Sequence, residues 1–164
     1  MNHARSPDSD PVQAPFLSGT EPAEAADCQT NRARKVRLFA VDDHALVRRG
    51  LQILLNQEPD MHVCGDAVGV ATARQGIDAL KPELVIVDLG LEDGDGFDLI
   101  EWIHRHHPRI KILVFTSHEG AASATRAFKC GAHGYVAKAD GTRELVRAIR
   151  LVLQNQRFLS SRLA

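Results

Sequence analysis

Three aspartates follow two short apolar runs of this sequence and are its first candidates for chemistry. Asp42 and Asp43 end the run Val36–Val41, and Asp88 ends the run that begins at Leu84. Carboxylates held close together repel one another unless a cation lies between them. Mg2+ suits a site with few carboxylates, a carbonyl and several waters. The three aspartates therefore predict a Mg2+ site, which Mn2+ could also occupy.

A hydroxyl and an ammonium stand at matching positions further along the chain. Thr116 ends the apolar run 110–116 and Ser117 follows it, and Lys138 follows the run Gly134–Ala137. A hydroxyl donor and a fixed ammonium can hold the oxygens of a phosphorylated aspartate. Taken singly, each such residue is at least as often a helix cap, a packing residue or a solvated lysine as it is part of a functional site. Their joint placement at the ends of strands is what favours a site.

Short apolar runs alternate with longer amphipathic segments from Lys35 onward, which predicts βα units around a parallel sheet. The expected strands are Val36–Val41, Met61–Gly65, Leu84–Asp88, Ile110–Thr116 and Gly134–Ala137. Helices are expected over Ala45–Gln57, near 69–80, 97–106 and 120–130, and from an N-cap at Thr142. The predicted fold class is α/β: a doubly wound (βα)5 parallel sheet, flavodoxin-like, with strand order 2-1-3-4-5. In such a sheet the ligand crevice lies beyond the ends of strands one and three, where the aspartates stand.

Length and composition bound the domain organisation. The chain has 164 residues, of which 44% are hydrophobic and 25% charged, as expected for one globular core. Four of the seven prolines fall within an aperiodic N-terminal stretch, so residues 1–34 are predicted to be a disordered tail. Residues 35–157 are predicted to form the domain, and 158–164 to begin a C-terminal linker.

The composition also argues against several classes of protein. No apolar run approaches the ~20 residues of a membrane helix and no secretion signal is recognisable, so we expect a cytoplasmic protein without a membrane contact. A net charge of −1 supplies little attraction for phosphates, and no direct contact with nucleic acid is expected. Three scattered cysteines indicate reduced thiols rather than a disulfide framework.

The joint spacing of these residues resembles the receiver domain of bacterial response regulators, most closely the NarL/FixJ (LuxR-type) subfamily. The resemblance covers about residues 36–163. The opening strand and its acidic pair match at Val36–His44, and the segment after them matches at Leu46–Leu51. The phosphoacceptor segment matches at Val85–Leu91, and the loop after it ends with Asp95-Gly96. Three single positions also match: Thr116, Tyr135 and Lys138.

The resemblance implies that four residues form the acceptor and metal site. Asp88 would accept a phosphoryl group and also bind Mg2+, Asp43 would bind the ion directly, and Asp42 would act largely through water. Gly90 would lend its backbone carbonyl. Glu92 departs from the family pattern, which usually has proline at this position, so the loop is expected to be less rigid and more acidic.

Three further residues would respond to the phosphoryl group. Thr116 and Lys138 would bind its oxygens, and Tyr135 would rotate as the site fills. The function implied is a switch rather than an enzyme: a sensor histidine kinase phosphorylates Asp88, protein contacts change and a homodimer can form. Relatives of this type usually continue into a helix-turn-helix DNA-binding domain. The chain is therefore interpreted as the input domain of a LuxR-type transcription regulator, without that output domain.

Three alternatives stay open from the sequence. A stand-alone receiver would act through protein contacts alone. A Mg2+-dependent phosphohydrolase would also use an aspartate nucleophile, although such enzymes commonly place a second aspartate two residues later, where this chain has Gly90. An adaptor that is never phosphorylated typically lacks part of the acidic cluster or the lysine, and both are complete here.

Three other polar features have simpler interpretations. His104, His106 and His107 could bind a transition metal, but an exposed helix end, where imidazoles favour the negative dipole terminus, is the preferred interpretation. Gly94-Asp95-Gly96 lacks the spaced oxygen ligands of a Ca2+ loop and is interpreted as a turn. His44 is interpreted as a loop residue at a helix start rather than as a metal ligand.

Overall fold

A parallel sheet of six strands forms the centre of the computed structural model, which describes residues 34–118 and 120–160. The strands are β1 (Val36–Val41), β2 (Met61–Ala67), β3 (Leu84–Val87), β4 (Lys111–Thr116), β5 (Gly134–Ala137) and β6 (Phe158–Leu159). Their order across the sheet is β2-β1-β3-β4-β5-β6, so the predicted order 2-1-3-4-5 is confirmed. The predicted tail lies outside the described residues except for Arg34.

Five α-helices of the described chain cover both faces of the sheet. They are α1 (Ala45–Gln57), α2 (Val70–Leu80), α3 (Gly96–His106), α4 (Ala121–Cys130) and α5 (Thr142–Leu153). Helices α1 and α5 pack on one face, and α2, α3 and α4 pack on the other. None of these helices is both long enough and apolar enough to cross a membrane.

Each face of the sheet carries its own hydrophobic core. Along β1, Leu38 and Ala40 point to the core shared with α1 and α5, whereas Phe39 and Val41 point to the opposite core. This alternation follows from the two-residue period of a strand, and burial on both faces explains why the strands are unbroken apolar runs. The two cores together hold the carboxyl ends of the strands in a fixed relation.

Two helices begin in different ways, and one of them corrects a prediction. Asp95 is the N-cap of α3, and its carboxylate accepts a hydrogen bond of 2.9 Å from the amide of Phe97. Thr142, predicted as the N-cap of α5, is instead the first helical residue, and Gly141 occupies the cap position without a side-chain hydrogen bond. Gly141 has a φ of 83°, which favours glycine, so backbone geometry rather than the Thr142 hydroxyl starts this helix.

Strand β6 occupies part of the segment predicted to be linker. After α5, Asn155 adopts a left-handed conformation with a φ of 65°, which asparagine tolerates, and the chain turns back to the edge of the sheet. Phe158 is buried there and aligns with Gly134 of β5. The sheet domain therefore continues to Ser160, because the open edge of β5 offers backbone partners and apolar cover to this segment.

Candidate functional site

The carboxyl ends of β1 and β3 bring Asp42 and Asp88 side by side. The two strands are parallel neighbours with Val41 opposite Val87, and the amide of Asp88 donates to the carbonyl of Val41 at 2.9 Å. Asp42 is 1% exposed and Asp88 5% exposed. Carboxylates buried to this extent need partners, because burial strongly disfavours an isolated charge.

Lys138 supplies the partner for both carboxylates. Its Nζ donates to Asp42 Oδ2 and to Asp88 Oδ2, each at 2.6 Å. The residue opens the short 3-10 turn that follows β5, so the parallel sheet delivers the ammonium to the same edge as the aspartates. Residues from three strand ends thus converge as the sequence predicted.

These ion pairs shift the pKa values of both partners. Burial raises the pKa of Asp88, but hydrogen bonds from Lys138 and Thr116 and the ammonium charge outweigh it, so the pKa lies below the ordinary 3.8. Burial lowers the pKa of Lys138, and the hydrogen bonds to Asp42 and Asp88 more than reverse this, leaving it above 10.5. At neutral pH Asp88 is therefore ionised and Lys138 charged.

Four residues offer donors suited to a cation. One ligand atom from each of Asp42, Asp43, His44 and Asp88 lies within 4.8 Å of the others. His44 is the N-cap residue of α1, in the loop position predicted for it, and its Nδ1 lies 2.5 Å from Asp43 Oδ1. Three carboxylates face one ammonium, which leaves an excess of negative charge that a hard divalent cation would neutralise. The donor set therefore fits Mg2+ or Mn2+.

The loop after Asp88 is a short hairpin in which Gly90–Leu91 pairs with Gly94–Asp95. The amide of Gly90 donates to Asp88 Oδ1 at 3.3 Å. At the tip, next to Glu92, the carboxylate of Asp93 accepts a hydrogen bond of 2.9 Å from the first amide of α2. Hydrogen bonds thus join the hairpin to Asp88 and to α2, while the metal-binding role of the Gly90 carbonyl stays a prediction.

Thr116 and Tyr135 meet at one loop residue. Thr116 is fully buried, and its Oγ1 lies 3.2 Å from Nδ1 of His118. Tyr135 is also fully buried, and its hydroxyl donates to the carbonyl of His118 at 2.7 Å. Burial raises the pKa of Tyr135 to about 12, so the hydroxyl keeps the proton that it donates. Both residues predicted to respond to a phosphoryl group therefore contact the same segment.

Two side chains beside the site were not identified from the sequence. The ring of His118 lies over Gly90, where an added Cβ would meet its Cε1 at 3.2 Å. The guanidinium of Arg48 donates to the backbone carbonyls of Asp42 and Asp43. No spacing rule predicts either contact, because each joins a side chain to a loop whose path depends on the tertiary fold.

Two of the three histidines at the end of α3 contact other side chains. The ring of His106 stacks on Trp102 with centroids 5.3 Å apart, and His107 Nε2 lies 2.8 Å from a carboxylate oxygen of Asp78. Within residues 34–118 and 120–160, the acidic cluster is the group with the geometry of a metal site.

Comparison with known proteins places the chain among signalling proteins. A family model described as the response regulator receiver domain matches residues 38–150. The chain is 36% identical over 129 residues to the DNA-binding transcriptional activator DevR/DosR of Mycobacterium tuberculosis, covering 79% of this chain and 59% of that protein. It is 35% identical over 129 residues to the response regulator GacA of Pseudomonas viridiflava, covering 79% and 60%.

A solved structure supports the same similarity. The crystal structure of a LuxR-family two-component response regulator from Aurantimonas sp. SI85-9A1 matches with a TM-score of 0.75 and 34% identity, covering 78% of this chain and 91% of that one. The chain spans about 60% of the length of the curated relatives that it matches.

Proposed function

The chain belongs to the response regulator receiver domain family, and from this membership we propose that it is a phosphoacceptor switch in which Asp88 accepts a phosphoryl group. The observation that carries the proposal is the placement of Lys138 Nζ at 2.6 Å from a carboxylate oxygen of both Asp42 and Asp88. A buried, ionised acceptor beside a fixed ammonium is suited to bind and stabilise a transferring phosphoryl group.

In this proposal Asp88 is the nucleophile and a sensor histidine kinase is the donor. A carboxylate oxygen of Asp88 forms a new bond to phosphorus as the bond between phosphorus and the donor breaks. The lowered pKa of Asp88, in which hydrogen bonds from Lys138 and Thr116 outweigh burial, keeps that carboxylate ionised at neutral pH. The ammonium and the Thr116 hydroxyl would bind the phosphoryl oxygens.

Asp42, Asp43 and Asp88, with the carbonyl of Gly90, would hold Mg2+ or Mn2+. Bound there, the cation would neutralise charge between the carboxylates and the phosphoryl oxygens. The protein's own contribution is to keep the three carboxylates close together and Asp88 ionised. The short distance between the donor atoms supports this assignment.

For the output, we propose the input domain of a LuxR-type transcription regulator that works in the cytoplasm and forms homodimers on phosphorylation. The relative DevR/DosR is described as a DNA-binding transcriptional activator, and the LuxR family also contains the similar solved structure. Contacts to DNA would then be made by residues outside this chain, since its net charge of −1 offers phosphates little attraction.

The test is phosphorylation by a small-molecule phosphodonor, followed by intact mass. We expect one added phosphoryl group on the wild-type protein in the presence of Mg2+. We expect no added phosphoryl group on Asp88→Asn, and none on the wild-type protein with chelator. Asp78→Asn is the matched control, because it removes a carboxylate that lies away from the acidic cluster and should still be labelled. Full labelling of Asp88→Asn would show that another residue is the acceptor.

A further inference from the structure

The guanidinium of Arg48 holds the backbone that carries the acidic pair. Its Nη1 donates to the carbonyl of Asp42 at 2.8 Å and to the carbonyl of Asp43 at 3.1 Å. The side chain is 14% exposed, so these hydrogen bonds are largely shielded from water. Two successive peptide groups are therefore bound by one planar cation.

Arg48 is itself held from the neighbouring strand. Its Nε donates to Asp66 Oδ2 on β2 at 2.8 Å, and the other oxygen of Asp66 accepts a hydrogen bond of 2.8 Å from the side-chain amide of Gln52. Gln52 and Arg48 lie one turn apart on α1, so helix and strand together orient the guanidinium. Because this ion pair is nearly neutral as a unit, its effect on the acidic pair is mainly geometric.

The backbone at this point lacks regular structure of its own. β1 ends at Val41 and α1 begins at Ala45, so Asp42 and Asp43 lie in the loop between the two elements. The direction of each side chain there depends on the adjoining peptide planes. A planar donor that binds both carbonyls limits rotation of those planes and therefore of the two carboxylates.

We propose that Arg48 is a positioning residue for the divalent cation site, and that it sets cation affinity by fixing the peptide planes of Asp42 and Asp43. The proposal rests on the function proposed above, in which these carboxylates bind Mg2+. Asp66 contributes to the same positioning, since its carboxylate orients the guanidinium of Arg48. Arg48 touches neither the acceptor carboxylate nor the site of phosphoryl transfer in the described contacts.

Mg2+ titration of Arg48→Ala tests the proposal because geometry and charge predict opposite signs. Loss of a nearby positive charge would by itself strengthen cation binding. Loss of a group that orients ligands should weaken it about tenfold or more. We expect weaker binding in Arg48→Ala, a smaller loss in Asp66→Ala, and partial recovery in Arg48→Lys, which keeps the charge but not the planar fork.

Arg49→Ala is the matched control, since it removes the same charge from the next residue of α1. Arg49 is exposed and donates to Oε1 of Gln52 at 3.3 Å, whereas Gln52 binds Asp66 through its amide nitrogen, so Arg49→Ala does not remove a partner of Asp66. A second readout without metal is amide exchange and chemical shift at Asp43 and His44, which should change in Arg48→Ala and not in Arg49→Ala. Thermal unfolding reports whether each variant is folded, and Arg48→Lys, in which the charge is unchanged, carries the test if Arg48→Ala is not folded.

The outcomes separate the two proposals. Weaker Mg2+ binding in Arg48→Ala together with altered loop amides supports the positioning role. Mg2+ binding as tight as or tighter than wild type in Arg48→Ala overturns that role while leaving the cation site in place. A wild-type protein that binds no Mg2+ overturns the proposed function itself, and the positioning role with it.

Discussion

The hydroxyl of Tyr135 donates a hydrogen bond of 2.7 Å to the backbone carbonyl of His118, and the ring is fully buried. His118 also contacts Thr116, whose Oγ1 accepts from the His118 amide at 3.3 Å. The two residues predicted to respond to a phosphoryl group are thus linked through one residue of the loop after β4. Displacement of the Thr116 hydroxyl would therefore move the backbone of His118, to which Tyr135 is hydrogen-bonded.

The first prediction concerns this link. Thr116→Ala should still bind Mg2+ and be phosphorylated on Asp88, but the response of Tyr135 to beryllofluoride should be smaller than in wild type. Loss of one hydrogen bond of about 1 kcal/mol changes a two-state population about fivefold. NMR of the labelled Tyr135 ring is the measurement, because fluorescence would also report Trp102.

Thr116→Ser, which keeps the hydroxyl, is the control for this prediction. An equal response of Tyr135 in Thr116→Ala and wild type would show that the hydroxyl does not link the sites.

The second prediction concerns the shared ammonium. Lys138→Met leaves the buried carboxylates of Asp42 and Asp88 without it, so the free energy of unfolding at pH 7 in chelator should fall by about 3 kcal/mol. In wild type the pKa of Asp88 is lowered, because hydrogen bonds from Lys138 and Thr116 outweigh burial, and its contribution to stability is present above its unfolded pKa and lost as pH falls. The deficit of the variant should therefore be full at neutral pH and shrink only as pH falls below 3.8, the unfolded pKa of the carboxyl.

Urea unfolding at several pH values measures this deficit. Lys129→Met removes the same charge from an exposed position on α4 and should have little effect. Mg2+ should bind Lys138→Met more tightly than wild type, because the ammonium no longer competes for the carboxylates. Stability equal to wild type at pH 7 without metal would mean that the carboxylates do not depend on Lys138.

The third prediction concerns pH and His133. Its Nδ1 accepts a hydrogen bond of 3.2 Å from the amide of Ile112, which requires an unprotonated nitrogen. Burial, aided by the positive charge of Lys111, lowers the pKa of His133 from 6.5 to about 4. Only the unfolded state takes up the proton between these values, so His133 stabilises the fold above pH 6.5 and loses that contribution as pH falls towards 4.

His133→Asn should flatten this dependence, because an asparagine oxygen can accept the same hydrogen bond but does not titrate. The slope of the unfolding free energy against pH measures how many more protons the unfolded state binds than the folded state. Between pH 6.5 and 4 this difference should decrease by up to about one proton in His133→Asn. The same exchange at exposed His62 on β2 is the matched control. Identical slopes in wild type and His133→Asn would contradict the assignment.

The fourth prediction concerns β6. Phe158 is 7% exposed, and deleting most of a buried aromatic side chain typically costs about 3 kcal/mol or more. Phe158→Ala should therefore lower the free energy of unfolding by about 2 to 3 kcal/mol. This is less than the typical cost because β6 lies at the edge of the sheet. Leu159, 37% exposed on the same strand, is the control, and Leu159→Ala should cost less than about 1 kcal/mol. Equal and small effects would assign Phe158 to a linker, as the sequence alone predicted.

The sequence by itself determined the sheet order and the residues that gather at its edge. Unbroken apolar runs specify buried parallel strands, and polar residues that follow such runs must lie at one end of the sheet. Asp42, Asp88 and Lys138 were therefore identifiable as neighbours although 50 to 96 residues separate the lysine from its partners. The family resemblance added the roles of these residues.

The tertiary structure decided what these side chains touch. The bridging position of Lys138, the hold of Arg48 on two carbonyls and the meeting of Tyr135 with His118 depend on loop paths and side-chain directions that no periodic pattern encodes. Phe158 shows the same limit, because its two-residue strand is too short for a period and exists through the free edge of β5. Local pattern specifies which elements form, whereas contacts between loops are set by how those elements pack.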